Sequence, residues 1–152
     1  MTTSPSPEPA DFAQRVRDSF ARQGAMQTLG ARLVRLEPGA VDIELDWAPG
    51  LTQQHGFLHA GMVSTALDSA CGYAALTQMA PEAAVLSIEF KVNLMAVARG
   101  QRFRMEGRVV KAGRSVSFAE GRAFAIDAGN EKLIATMSCT LMAVTGRAGI
   151  QH

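Results

Sequence analysis

What the chain holds little of narrows its function before any motif is read. Its 152 residues carry only two cysteines, Cys71 and Cys139, with no CxxC pair and no Cys/His grouping at a ligand spacing. Neither a disulfide framework nor a zinc site fits that usage, so no metal and no cofactor is expected. Both thiols sit among small apolar neighbours and should be buried. Charge of one sign is scarce as well: 15 Lys and Arg against 14 Asp and Glu leave a formal net charge of +1, with the two signs interleaved. That balance leaves no electrostatic footprint for nucleic acid or an anionic membrane. No apolar run reaches the ~18 residues that a membrane span needs. The Ser/Pro-rich start, MTTSPSPEPA, has neither the basic end nor the apolar stretch of a secretory signal. A cytoplasmic protein is the expectation.

What the chain does hold is 47% hydrophobic residues in strongly patterned runs, enough for one core. One domain is expected over residues 11–145, between a disordered tail at 1–10 and a short tail at 146–152. Phe12, Val16 and Phe20 recur every fourth residue, which predicts an amphipathic helix from Asp11 to a stop at Gly24. Leu29 to Leu36, the turn Glu37-Pro38-Gly39 and the alternating Val41, Ile43, Leu45 and Trp47 predict an antiparallel hairpin. From Ala60 to about Met79 the chain is apolar almost all round, with Asp68 its single charge. A central helix buried on most faces is the reading.

Four strand-like runs follow. Over 85–94, Leu86, Ile88, Phe90, Val92 and Leu94 alternate with Ser87, Glu89, Lys91 and Asn93, predicting one buried and one wetter face. In the second, Phe103, Met105, Gly107 and Val109 alternate with Arg102, Arg104, Glu106 and Arg108. Val116, Phe118 and Phe124 mark the third, and the fourth runs from Leu133 to Val144. An α+β domain follows, because an antiparallel sheet with one apolar face can bury it by curling around the one apolar helix.

The segment from Gln53 to Asp68, QQHGFLHAGMVSTALD, carries the chemistry. His59, Ala60 and Gly61 stand where the long helix begins, so free N–H groups and the positive end of the dipole can receive an oxyanion. Asp68 either fixes packing through a buried partner or is used chemically. His59 either caps the helix or serves the site, and His55 has nothing spaced to it as a metal or triad partner. Ala60 and Asp68 lie about 12 Å apart along one helix, too far to touch one carbonyl. If the two cooperate, Asp68 must meet the Ala60 turn of a second copy, in a two-fold homodimer with two shared sites.

Together, Gly56-Phe57-Leu58-His59-Ala60-Gly61 and the later Asp68 resemble the PaaI-like branch of the hotdog thioesterases, which has a Gly-x-x-His-Gly-Gly loop before the central helix and an acidic residue on it. SIEFKVNLMAVARG and GRVVKAGRSVSFAEGRAFA extend the resemblance across the domain. It implies a hotdog fold, a curved antiparallel sheet wrapped around one long central helix, in chains that pair as dimers and often again as tetramers. It implies hydrolysis of acyl-CoA or aryl-CoA thioesters. Asp68 would be nucleophile or general base, and the backbone N–H of Ala60 would polarise the carbonyl. His59 would shape the loop, Gln53 would hold the carbonyl or the water, and Ser87 would bind the water. Gly61 at the helix start would also touch substrate.

Apart from the resemblance, the turn Gly113-Arg114-Ser115 offers a guanidinium and free N–H groups to CoA phosphates. Phe57, Met62 and Met79 are candidate walls of an acyl pocket. Ala60 stands where the family usually has glycine, which adds a methyl group and gives up positive φ. That exchange lends weight to a rival, a non-hydrolytic acyl-CoA sensor on the same fold.

Overall fold

The structure, a computed structural model, describes residues 9–151, with side chains from Phe12 onward. The tail expected at 1–10 therefore lies mostly outside the described residues. Pro9 and Ala10 already belong to helix α1 (Pro9–Arg22), since the fixed φ of proline suits a first helical turn. Gly24 does not stop this helix. Gln23 is extended, and Gly24 opens a short second helix, α2 (Gly24–Leu29). The strand expected from Leu29 consequently starts later: Leu29 ends α2 with its side chain in the core, and Gly30 at φ +62° closes the helix.

The hairpin then forms from β1 (Arg32–Glu37) and β2 (Ala40–Asp46), turning at Gly39 with φ +72°. The central helix α3 (Ala60–Leu76) ends a turn earlier than expected. Arg15 of α1 is the reason that end is stable: its guanidinium donates to the carbonyls of Leu76 (2.7 Å), Met79 (3.0 Å) and Ala80 (2.8 Å). A cation at the C-terminus of a helix satisfies orphan acceptors and the dipole together. Burial holds that guanidinium below its ordinary pKa.

Strands β3 (Ala84–Leu94), β4 (Arg102–Lys111), β5 (Val116–Asp127) and β6 (Asn130–Val144) complete one antiparallel sheet in the order β1-β2-β4-β5-β6-β3. Helix α3 packs on β2, β3, β4, β5 and β6, so the curved sheet wraps it as the hotdog fold requires. Two glycines paired across β4 and β5, Gly107 and Gly121, let the layers approach. A Cβ at Gly107 would stand 2.2 Å from the Ala70 carbonyl oxygen. On the outer face Arg104 pairs with Glu131 and Glu106, and Arg108 with Asp42, the solvated pattern that the alternation in β4 predicts.

Strand β3 departs from its expected alternation. Its register with β6 slips between Ser87 and Glu89, leaving Ile88 as the extra residue of a bulge. Beyond the bulge, Phe90, Val92 and Leu94 stand opposite the buried Cys139, Met137 and Ala135; before it, Ser87 stands opposite the buried Leu141. Ser87 therefore shares the helix-facing side with Phe90, and Leu86 is moved to the outer side with Glu89. A one-residue insertion re-aims every side chain on one side of it. As an edge strand, β3 also leaves Leu86, Ile88, Phe90 and Leu94 exposed by 41–57% in the single chain, not buried. No described helix is long and apolar enough to cross a membrane.

Candidate active site

The loop before α3 is pinned at several points. Trp47 Nε1 donates to the Gly56 carbonyl (2.9 Å), Gly56 turns at φ +83°, and the Gln53 N–H donates to the Phe57 carbonyl (2.9 Å). Leu58 N–H then donates to Ala98 (3.1 Å) and His59 N–H to Leu51 (2.9 Å). These bonds hold the start of α3 in place without help from Ala60 itself.

His59 is the N-cap of α3. Its Nδ1 accepts the Gly61 N–H at 2.8 Å, which makes Nε2 the protonated nitrogen of a neutral ring and occupies the donor of Gly61. Of the two roles open to His59, capping is the one the geometry displays. Ala60, the first helical residue, has no hydrogen-bond partner for its N–H among the described residues. Its φ is not positive, so a glycine is not needed there, and the conformational cost expected of the alanine does not arise. Gln53 accepts the His55 N–H on its Oε1 and, with Ala60, Phe57, Val63 and Leu94, lines a largely apolar cleft of about 400 Å³.

Asp68 lies two turns further along α3 and opens into a different cleft. The Ser87 hydroxyl donates to its Oδ1 at 2.6 Å, and the Cys139 thiol lies 3.7 Å from the same oxygen. Among the described residues Oδ2 has no hydrogen-bond partner. The carboxylate is thus oriented through one oxygen, and Asp68 lines a cavity of about 420 Å³ whose walls also include Ser19, Gln23, Tyr73 and Ser87. Ser87 reaches Asp68 only because of the β3 bulge.

Cys139 had no site role in the sequence; the contact depends on β6 crossing behind α3 and carried no local signal. Both cysteines are buried free thiols, as their neighbours predict, and the hydrogen bond to Cys139 together with burial pushes the Cys71 thiol up.

The remaining candidates are dispersed. Gly113, Arg114 and Ser115 form an exposed turn that lines neither cleft. It lies just beyond the row Ser117–Leu141–Ser87, at the Asp68 end of the sheet. Met79 belongs to the core cluster and Met62 packs against it, whereas Phe57 faces the Ala60 cleft. No group of described residues is suited to hold a metal ion.

Within one chain, then, Ala60 with its free N–H and Asp68 two turns on line separate clefts. A family model described as Thioesterase superfamily matches residues 55–131, just over half of the chain and spanning both groups. A thioesterase family protein from Silicibacter pomeroyi has a crystal structure that superposes with a TM-score of 0.88 at 57% identity, over 89% of this chain and 99% of that one. The 1,4-dihydroxy-2-naphthoyl-CoA hydrolase of Listeria monocytogenes is 24% identical over 118 residues, 78% of this chain and 94% of the relative. The PaaI protein of Escherichia coli shares the fold, with a TM-score of 0.80 at 13% identity over 91% and 96% of the two chains. The chain belongs to the thioesterase superfamily, and thioester hydrolysis is the chemistry that this membership supports.

Proposed function

We propose that the protein hydrolyses acyl-CoA thioesters in sites shared by two copies of the chain. The observation that carries this is the Asp68 carboxylate, held by Ser87 through Oδ1, with Oδ2 unpartnered among the described residues, in a residue that lines a cavity. The carboxylate, or a water it activates, attacks the thioester carbonyl. Charge gathers on the carbonyl oxygen, which the Ala60 N–H and the α3 dipole of the other copy receive. Gln53, in the Ala60 cleft, steadies the carbonyl or the water. If Asp68 activates water, it takes that water's proton and returns it to the departing CoA thiolate, and the acid is released directly; if Asp68 attacks, CoA thiolate leaves an acyl-Asp68 anhydride that water then cleaves, the water's proton going to CoA. The exposed apolar edge of β3 suits a second copy laid alongside it, since such an edge is seldom left open to solvent. The turn at Gly113-Arg114-Ser115 remains the proposed contact for CoA phosphates. The acyl-CoA class also agrees with the name of the Listeria relative.

Asp68→Asn is expected to lower kcat by about 10³-fold or more while acyl-CoA still binds, measured by release of free thiol and by equilibrium binding. Full activity in that variant would refute the role. Mixing Asp68→Ala with Gln53→Ala subunits and allowing exchange should restore activity, because each mixed dimer regains one intact site. Absence of recovery contradicts the shared site.

A further inference from the structure

Asp68 is held by more than Ser87. Its Oδ1 lies 2.6 Å from the Ser87 hydroxyl of β3 and 3.7 Å from the Cys139 thiol of β6. An ionised carboxylate only accepts, so the thiol is the donor of that contact. The two donors come from neighbouring strands. Cys139 stands opposite Phe90, two residues along β6 from Leu141, the partner of Ser87, so both side chains leave the helix-facing side of the sheet. The bulge at Ile88 is what turns Ser87 to that side.

Cys139 has a partner of its own behind it. Cys71 follows Asp68 by one turn of α3, on the same side of the helix, and hydrogen-bonds to Cys139. With the Cys139 proton directed to Asp68, Cys71 gives its own to the Cys139 sulfur. That bond and burial push the Cys71 thiol up, which keeps it protonated for the part. Cys71 is packed over Gly121, where a Cβ would stand 3.1 Å from its Sγ. Both thiols are buried. A thiol suits such a place because it packs as a small apolar group and still donates weakly.

We infer that Cys139 is a second positioning residue for Asp68, donating to Oδ1 from β6 while Ser87 donates to it from β3, so that Oδ2 is left for the reaction. The inference rests on the proposed hydrolysis at Asp68. The torsion that turns an aspartate carboxylate about its last bond is broad and roughly two-fold, so one hydrogen bond leaves the group room to swing. Two donors fixed in different strands meet at one oxygen and narrow that swing. A packing role alone would ask only for volume at Cys139; a positioning role asks for a proton as well.

Two measurements on the full-length protein test this. The first is the infrared S–H stretching band, which lies clear of other protein absorption. The chain has only two cysteines, so in Cys71→Ala the band belongs to Cys139 alone. Adding Asp68→Ala is expected to raise its frequency, as loss of the acceptor does for a hydrogen-bonded thiol; an unmoved band overturns the proposal. The second is steady-state kinetics on an acyl-CoA that the wild type hydrolyses. Cys139→Ala should lower kcat by about three- to tenfold with KM little changed, and Cys139→Ser, which restores a donor, should keep kcat within about twofold of the wild type. Equal losses in the two variants, or a loss confined to KM, overturn the role. If neither Cys139 variant folds, the band decides alone. Because the spectrum needs no turnover, a moved band in a protein that hydrolyses no acyl-CoA would overturn the hydrolytic role of Asp68 and leave the thiol-to-carboxylate bond standing.

Discussion

The start and the middle of α3 each present a candidate reactive group on a buried helix, in opposite ways. At Ala60 the group is backbone: a free N–H held by a loop whose hydrogen bonds avoid the residue itself, in a mainly apolar cleft. At Asp68 the group is a side chain, aimed by a hydroxyl from a bulged strand, in a cavity with mixed polar and apolar walls. Backbone chemistry tolerates a change of side chain, whereas side-chain chemistry does not. That difference explains how an alanine can stand where glycine is usual without disturbing the helix start.

Variants at each position separate the two. Beyond the loss expected of Asp68→Asn, Ser87→Ala removes the donor that orients the carboxylate. It should lower kcat by about 10- to 100-fold with KM little changed, in steady-state kinetics on an acyl-CoA that the wild type hydrolyses. An unchanged kcat would show that the bulge does not serve the site. At the helix start, His59→Ala should cost about 1 kcal/mol of stability through loss of the N-cap, read as a lower denaturant midpoint. A much larger fall in kcat than in stability would instead give His59 a part in the chemistry. The smallest effect is expected of Ala60→Gly. With no positive φ to satisfy, it should leave kcat within a few-fold and cost no more than about 1 kcal/mol. A large rate gain there would mean that the methyl group obstructs the oxyanion site and would favour the sensor reading of the natural sequence.

Much of this fold was legible because period carries it. The all-round apolar run of α3 and the alternation in β4 predicted a wrapped helix and a solvated Arg/Glu face, and both are present. The errors cluster where one residue changes the frame. In sequence Leu29 reads as the start of a strand, because an apolar residue at a helix end looks the same there; the left-handed Gly30 decides otherwise. In β3 the apolar alternation is regular, yet the bulge at Ile88 moves Ser87 inward and Leu86 outward, and no sequence period announces a bulge. The candidate site was legible as residue types at a helix start and one lone carboxylate on it. Arg15 as the anchor of α3, Cys139 beside Asp68, and the cavity walls from α1 were not, because they join elements far apart in the chain.

By itself the sequence determined the element order, the buried central helix, and the separation of the Ala60 N–H from Asp68 along that helix. All three follow from local periodicity and the rise of an α-helix, which need no tertiary partner. The tertiary structure decided which oxygen of Asp68 is held and which is free, what His59 does with its Nδ1, and that Ala60 and Asp68 line different clefts. Those depend on strand register and on the approach of α1 and β6 to α3, distances set by packing among residues that the chain order keeps apart.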